Sequence, residues 1–290
     1  MKVSWEISRW ERWTLSFFAL ITTAGLAVGV AAWREAHAEP RITRYEVEAA
    51  GLPRGTAVTI AFLSDTHVNQ SGMASAIGVE RLSAIADRVN RLGPDIVVLG
   101  GDYIATTGAP GDVPFAAAVA PFSRLTAPLG VYAVVGNHDC QEPENTSSTM
   151  KAALRAAGVR PLVNEIAVAG PVMLAGLDDL WCGASDIGTA DRAIGAAGDR
   201  PVVLVSHNPD VFPQVLEDVS LTLAGHTHAG QIVPPFMEAP VSVSRFGNRY
   251  RYGLIREGGR RMIVTSGIGG MPFRWNAEPE IVLVTLRAPS

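Results

Sequence analysis

Basic residues are too few in this chain to form a nucleic-acid-binding surface. Lysine and arginine together number 24 against 28 aspartates and glutamates, which leaves a formal net charge of -4. Only Lys2 and Lys151 are lysines. Proteins that bind nucleic acid through its phosphates carry a clustered excess of positive charge. We therefore expect no nucleic-acid partner.

Cysteine is also scarce, since Cys140 and Cys182 are the only two in 290 residues. Two cysteines cannot build a disulfide framework, and the absence of a Cys-x-x-Cys pair excludes a structural zinc knuckle. We expect two unpaired thiols, with Cys140 near the functional site because it follows the polar loop at 136–139. The alternative is a disulfide, which would require an oxidising compartment and the close approach of two distant loops.

Charge is absent from Trp13 to Trp33, a run of 21 mostly apolar residues. A helix of this length spans about 30 Å, which is the thickness of the hydrocarbon core of a bilayer. Tryptophan at both ends suits the interfacial layers of a membrane. We predict a short flank at 1–12, a transmembrane helix at 13–33 and a globular domain at 39–290.

A secretory signal is the alternative to a retained anchor, because Ala36-His37-Ala38 has the A-x-A pattern of a cleavage site. The apolar run is longer than the core of an ordinary signal, which is about 7 to 15 residues. We therefore favour the anchor. Arginines flank the run on both sides, so the positive-inside rule leaves open the side on which the globular domain lies.

Short apolar runs alternate with helical patterns over the globular part. The runs are continuous and rich in β-branched residues, as in strands that are covered on both faces. They lie at 58–63, 96–99, 131–135, 172–175, 202–205, 221–224, 262–264 and 281–284. Helical patterns at 78–91 and 149–158 separate several of them. This alternation predicts a layered α/β domain with a largely parallel sheet, in which ligands bind at the carboxyl ends of the strands.

Polar motifs follow five of these runs, where the parallel strands would end. They supply seven side chains that can bind metal: Asp65, His67, Asp102, Asn137, His207, His226 and His228. Seven are too many for one ion, whereas two ions that share a carboxylate would use them well. Imidazole and carboxylate without thiolate favour manganese, with iron or zinc as alternatives. Two such ions acidify water and stabilise the attacking and leaving oxygens of a displacement at phosphorus.

The order of the five motifs resembles that of the calcineurin-like metallophosphoesterase superfamily over residues 58–231. The motifs are Asp65-x-His67, Gly101-Asp102, Gly136-Asn137-His138-Asp139, His207 and Gly225-His226-Thr227-His228. The resemblance implies a two-sheet sandwich with α-β-β-α layers.

Ligand roles are implied by the same resemblance. One metal would be bound by Asp65, His67, Asp102 and His228, and the other by Asp102, Asn137, His207 and His226. His138 would act as the leaving-group acid or as a phosphate contact, and Asp139 would orient it. Two positions depart from the pattern of the superfamily: Ala105 stands where a further Asp or Arg is common, and Ser206 stands where glycine usually precedes the histidine. Neither departure removes a ligand.

Segments 206–210, 225–231 and 266–274 resemble a narrower branch of single-pass bacterial proteins, which includes UDP-2,3-diacylglucosamine pyrophosphatase-type enzymes of lipid A biosynthesis. This resemblance implies a protein of the bacterial inner membrane that acts on a phosphorylated small molecule or a lipid-linked substrate. We expect Arg274 to neutralise a substrate phosphate, with a structural salt bridge as the alternative. Apolar residues of the 103–122 loop are candidates for gripping acyl chains, with core packing as the alternative.

Two other functions stay open. One is a broad-specificity phosphodiesterase or phosphatase outside the cytoplasm. It differs from an enzyme that acts on a UDP-lipid in the compartment of its substrate, because a UDP-lipid requires the domain on the cytosolic face. The other is a metal-dependent scaffold without catalysis. We favour the scaffold least, because a scaffold has no need for an acid such as His138 beside the ions.

Overall fold

The computed structural model of the chain describes residues 8–71, 75–105 and 111–289. Two six-stranded sheets stack face to face, and helices cover their outer faces. The predicted two-sheet sandwich with α-β-β-α layers is confirmed.

The first sheet carries the strands that come early in the chain, together with the last one. Its order is β1 (Arg41–Glu48), β12 (Glu280–Arg287), β2 (Ala57–Leu63), β3 (Ile96–Leu99), β4 (Val131–Ala133) and β5 (Arg160–Pro161). All its pairs are parallel except β12 with β2. Its outer face packs on α2 (Val79–Arg91), α3 (Phe115–Val119) and α4 (Ser147–Ala156).

The second sheet carries the remaining strands. Its order is β10 (Gly253–Glu257), β11 (Arg260–Val264), β9 (Val219–Ala224), β8 (Val202–Val205), β7 (Val172–Gly176) and β6 (Glu165–Ala169). The three central pairs are parallel and the two outer pairs are antiparallel. Its outer face packs on α5 (Gly188–Ala197).

The central strands are buried on both faces. Phe62 and Val98 lie in the core between the two sheets, whereas Leu63 and Leu99 lie in the core beneath the helices. Alternate side chains of a strand point to opposite faces, so two buried faces leave no polar position along it. This explains why the strands of the sequence are continuous apolar runs.

Helix α1 runs from Arg9 to Ala36, beyond both ends of the predicted span at 13–33. Ser8 and Glu11 form a capping box at its start: the Ser8 Oγ accepts from the Glu11 N–H and the Glu11 Oε2 accepts from the Ser8 N–H. The predicted flank at 1–12 is therefore partly helical, and residues 1–7 lie outside the described residues.

The last turn of α1 rests on the globular domain. Among the described residues, α1 is the one helix long and apolar enough to cross a membrane. Its 28 residues span about 42 Å. Only Ala32 and Ala36 are buried in it. The helix and the domain thus meet by direct contact, and the predicted domain boundary at 39 stays a prediction.

Candidate metal centre

All seven predicted ligands come together at the carboxyl ends of strands from both sheets. Asp65 and His67 follow β2, Asp102 follows β3, and Asn137 comes shortly after β4. From the second sheet, His207 follows β8, and His226 and His228 follow β9. The sandwich therefore aligns the ends of β2, β3 and β4 with those of β8 and β9, which makes one site out of loops far apart in the sequence.

Five of these ligands have left-handed backbone conformations that cost energy for residues other than glycine. Their φ angles are 55° at Asp65, 44° at His67, 54° at Asp102, 70° at His226 and 49° at His228. Such strain is concentrated at functional sites, where the surrounding structure holds it in place. Here the Asp65 N–H donates to Gly101 O at 2.9 Å and the His67 N–H donates to Asp102 O at 3.0 Å.

Glycines let the ligand loops approach one another. A Cβ atom on Gly136 would lie 2.3 Å from Asp102 Oδ1, and one on Gly225 would lie 2.3 Å from Asp65 Oδ2. No side chain fits in either place. The glycines that precede Asn137 and His226 are therefore required by the close packing of the carboxylates behind them.

The first group of ligands is Asp65, His67 and His228. The Nε2 atoms of His67 and His228 lie 3.1 Å apart, and His228 Nε2 lies 3.5 Å from Asp65 Oδ1. The donor atoms of the three residues lie within 4.8 Å of one another, close enough to hold one metal ion.

The second group is Asp102, His207 and His226, whose donor atoms also lie within 4.8 Å of one another. His226 Nδ1 lies 3.2 Å from His207 Nε2, which lies 3.1 Å from Asp102 Oδ2. The same Asp102 oxygen lies 3.5 Å from His67 Nε2 of the first group. Asp102 thus stands between the two groups, in the place of a bridging ligand.

The donor set suits divalent cations. Two pairs of imidazole nitrogens face each other at hydrogen-bonding distance, and a cation between such lone pairs would satisfy both. Asn137 Oδ1 is buried and has no hydrogen-bond partner among the described residues. His207 Nδ1 contacts Gly100 O at 2.8 Å, which turns Nε2 toward the site in the way that backbone contacts commonly orient metal-binding histidines.

Burial controls the protonation of the histidines. It lowers the pKa of His67 and His228 to about 3 and that of His226 to about 2, so their lone pairs are free at neutral pH. Burial also acts to lower the pKa of His207, but the Asp102 carboxylate outweighs it and raises that pKa to about 10. Without a cation, a proton on His207 balances the charge of Asp102.

His138 lies beside the ligands and partly exposed at the site. Its backbone N–H donates to Asp102 Oδ1 at 2.8 Å, and its ring meets that of His67 edge to face at 4.8 Å between centroids. It lines a cavity of about 370 Å³ together with His67, His226 and His228. A side chain in this place can reach a substrate bound in the cavity.

Asp139 is fully buried and bound to the backbone. Its carboxylate accepts hydrogen bonds from the N–H groups of Gly136 at 2.9 Å, Asp102 at 2.9 Å and Tyr103 at 2.7 Å. These bonds tie the loop after β3 to the loop after β4. Asp139 is therefore a positioning residue for both loops, and its predicted action on His138 stays a prediction.

The structure gives Arg274 a structural role, and its predicted contact with a substrate phosphate stays a prediction. Its side chain is 1% exposed, and its guanidinium donates hydrogen bonds to the carbonyl oxygens of Ala277, at 2.7 Å, and Gly269. Burial lowers the pKa of Arg274 to about 10. The sequence motif predicted this arginine near the site. In the structure its side chain points into the protein interior and donates hydrogen bonds to backbone carbonyl groups.

The expectation of two unpaired thiols is wrong, because Cys140 and Cys182 form a disulfide with Cα atoms 6.2 Å apart. The bond joins the loop after β4 in the first sheet to the loop after β7 in the second. Nothing in the spacing of the two cysteines signals this contact, which exists only after the sheets stack. The same loop presents Trp181, whose ring centroid lies 4.5 Å from that of His226.

Much of the apolar lining of the cavity comes from segment 232–243, which sequence patterns did not single out. Ile232, Val241 and Val243 line the cavity together with Met271 of segment 266–274. In contrast, the apolar residues predicted to grip acyl chains are core residues: Tyr103, Ile104, Val113, Phe115 and Phe122 are all buried, and residues 106–110 lie outside the described part of the chain.

Comparison with known proteins agrees with this geometry. A family model described as calcineurin-like phosphoesterase matches residues 58–230. A Bacillus subtilis protein named uncharacterized metallophosphoesterase YkuE is 31% identical over 278 residues, which cover 92% of this chain and 92% of that protein. The Escherichia coli phosphodiesterase YaeI is 31% identical over 234 residues, 78% of this chain and 81% of that protein.

A zebrafish (Danio rerio) protein named transmembrane protein with metallophosphoesterase domain is also similar. It is 30% identical over 292 residues, which cover 93% of this chain. The matched part is 62% of the length of that relative.

Proposed function

Since this chain belongs to the calcineurin-like phosphoesterase family and is a hydrolase of phosphoester bonds, we propose that it works with two divalent metal ions at a membrane. The observation that carries the proposal is the position of Asp102 between two groups of ligands. When bound, the two ions lower the pKa of water and stabilise charge on the oxygens around phosphorus. We propose manganese as the metal, with iron or zinc as alternatives.

The residues of the chain divide the remaining work. Asp65, His67 and His228 would hold one ion, Asn137, His207 and His226 would hold the other, and Asp102 would serve both groups. His138 lies beside the ligands and lines the same cavity, where it donates a proton to the leaving oxygen or binds the phosphate. Hydrogen bonds between the ligand loops hold the left-handed backbone of five ligands in place, so little reorganisation is needed when a substrate binds.

The first candidate substrate is an amphiphilic phosphoester or phosphoanhydride, with UDP-2,3-diacylglucosamine of lipid A biosynthesis as the compound to test. Two features support an amphiphile: α1 is able to hold the domain at a bilayer, and the cavity joins a polar histidine side to an apolar side. This candidate places the protein in the inner membrane of a bacterium with its domain in the cytosol.

The second candidate is a broad-specificity phosphodiesterase outside the cytoplasm. The Cys140–Cys182 disulfide favours it, because disulfides persist in oxidising compartments and are rare in the cytosol. The name of the Escherichia coli relative also supports a phosphodiesterase.

Hydrolysis by the full chain in detergent distinguishes the two candidates. Bis-p-nitrophenyl phosphate and UDP-2,3-diacylglucosamine are offered with Mn²⁺, Fe²⁺ or Zn²⁺, and Asp102→Ala and His138→Ala are compared with Asp87→Ala. Asp87 is a suitable control because it lies on α2, where its carboxylate pairs with Arg124.

Each outcome of this assay has one meaning. Selective turnover of the UDP-lipid, lost in Asp102→Ala and His138→Ala but kept in Asp87→Ala, supports the first candidate. Turnover of the soluble diester alone supports the second. Absence of metal-dependent hydrolysis of both compounds with all three metals contradicts the proposal.

A further inference from the structure

Large apolar side chains are exposed in two segments beside the metal centre. They are Phe236, Met237, Val241, Val243, Met271 and Phe273, which we call the apolar rim. Phe236 is fully exposed and Val241 is 69% exposed. Exposed apolar side chains that cluster around a cavity mark a site of interaction with a protein, a ligand or a membrane.

The apolar rim borders the cavity that contains the histidines. Val241, Val243 and Met271 line this cavity together with His138 and His228. Whatever covers the rim therefore also covers the entrance to the metal centre.

Hydrogen bonds hold the two segments together. The Gln231 side chain donates to the carbonyl oxygens of Met271 at 3.1 Å and Phe273 at 2.8 Å. The Val233 N–H donates to Trp275 O at 2.8 Å. The chain that leads into the first segment is thus fixed to the second segment by side-chain and backbone hydrogen bonds.

The same surface is fastened to the end of α1. The Arg274 N–H donates to Ala32 O at 2.9 Å, and the Ala277 N–H donates to Glu35 Oε1 at 2.7 Å. Phe273 is the residue before Arg274, so the rim reaches the last turn of the apolar helix. The predicted hydrocarbon span of α1 ends in this turn, at Trp33, which is exposed and is of the residue type enriched at membrane interfaces.

We propose that the apolar rim lies in the interfacial layer of the same bilayer that α1 crosses. We choose the bilayer as the partner of the rim because the rim is attached to the end of α1. A surface at the end of a membrane-spanning helix lies at the level where hydrocarbon gives way to headgroups. The mouth of the cavity then opens onto lipid, and a phosphoester of a membrane amphiphile reaches the metal centre without passing through bulk water. The proposal rests on the proposed membrane attachment through α1, but not on the reaction.

Depth-dependent fluorescence quenching tests the contact directly. The full chain is reconstituted in phosphatidylcholine vesicles with an environment-sensitive fluorophore on a single introduced thiol. Labelling is done without reductant so that Cys140 and Cys182 stay paired. The probes are Phe236→Cys and Val241→Cys in the rim, Leu20→Cys in α1, and Leu216→Cys as the control, and brominated phosphatidylcholine is the quencher.

Leu216 is a matched control because it is also an exposed apolar residue, at 47%. It precedes β9, whereas His226 follows this strand, so the two lie at opposite ends of β9. We expect brominated lipid to quench the probes at 236 and 241 at least threefold more than the probe at 216.

Two outcomes overturn the proposal, and they distinguish failure of the rim to contact lipid from failure of α1 to enter the membrane. If the probe at 20 is quenched but those at 236 and 241 are quenched no more than that at 216, α1 is in the membrane and the rim is not. If the probe at 20 is not quenched, the membrane attachment itself fails. Hydrolysis of bis-p-nitrophenyl phosphate by the same vesicles reports separately on the reaction.

Discussion

Asp102 is the residue on which the charge balance of the site depends. Its buried carboxylate lies within 3.5 Å of histidines from both ligand groups, and in the protein without cations it keeps a proton on His207. A cation that binds the folded chain and not the unfolded chain adds its binding free energy to stability. The state of the metal site is therefore readable as a change in the temperature of unfolding.

Removal of metal by a chelator should lower the unfolding temperature of the globular domain, and added Mn²⁺ should restore it. At a metal concentration 100-fold above Kd, the expected difference is about 5–10 °C for a domain of this size. Asp102→Asn should abolish the difference, whereas Asp87→Asn should keep it. Tryptophan fluorescence during heating measures the transition. A full metal-dependent rise in Asp102→Asn would show that Asp102 does not bridge the ions.

Arg274 offers a test that separates a structural residue from a substrate contact. Arg274→Met leaves the carbonyls of Gly269 and Ala277 without a donor, and we expect the free energy of unfolding to fall by about 1–3 kcal/mol. Because the guanidinium is buried, KM for bis-p-nitrophenyl phosphate should change less than twofold. Arg155→Met, on the exposed side of α4, is the control for both measurements. A tenfold rise in KM with unchanged stability would instead support the predicted contact of Arg274 with a substrate phosphate.

At the scale of elements, the central strands can be predicted from the sequence, whereas the apolar lining of the cavity cannot. β2, β3 and β8 are continuous apolar runs because both their faces are buried, and such runs are visible without a structure. Segment 232–243 contains neither a helix nor a strand, so its sequence lacks the sustained periodicity that regular structure imposes. Nothing local in its sequence places it beside the histidines.

The ligands were predictable for a related reason, whereas Trp181 and Val241 were not. Each histidine motif directly follows a strand that the pattern reveals, and parallel strands bring their carboxyl ends to one edge. Trp181 and Val241 reach the site through long loops whose paths depend on tertiary contacts.

Polar substitution of the rim should affect amphiphilic substrates selectively. Phe236→Ser combined with Met237→Ser removes two exposed side chains outside the cavity lining. We expect kcat/KM for an amphiphilic phosphoester in vesicles to fall about tenfold, which corresponds to about 1.4 kcal/mol. Hydrolysis of bis-p-nitrophenyl phosphate should change less than twofold. Leu216→Ser is the matched control, and equal loss on both substrates would indicate damage to the fold instead.

At the scale of the whole molecule, the disulfide links the two sheets beside the site. Cys140 and Cys182 are 42 positions apart in sequence, and in the chain-entropy model a closed loop of this size stabilises a protein by up to about 4 kcal/mol. The disulfide lowers the conformational entropy of the unfolded chain, so it raises the free energy of unfolding of the entire domain.

Reduction of this bond should therefore lower the denaturant midpoint of the entire domain in one transition. Cys140→Ser and Cys182→Ser should each unfold at the midpoint of the reduced wild-type protein, and adding reductant to either variant should have no further effect. Equilibrium unfolding of the full chain in detergent, followed by tryptophan fluorescence, measures the midpoints. Identical midpoints for oxidised and reduced wild-type protein would refute a stabilising role.

The pairing of β1 with β12 also determines when the domain is finished during synthesis. β1 follows α1 and, among the described residues, pairs with β12 alone, in a register from Arg41 with Glu280 to Glu48 with Arg287. At about 5–20 residues per second, a ribosome needs roughly ten to fifty seconds to travel from one strand to the other. During that interval α1 can already be in the bilayer while β1 lacks its partner. If α1 inserts as proposed, insertion precedes completion of the first sheet, and the growing chain folds while it is tethered to the bilayer.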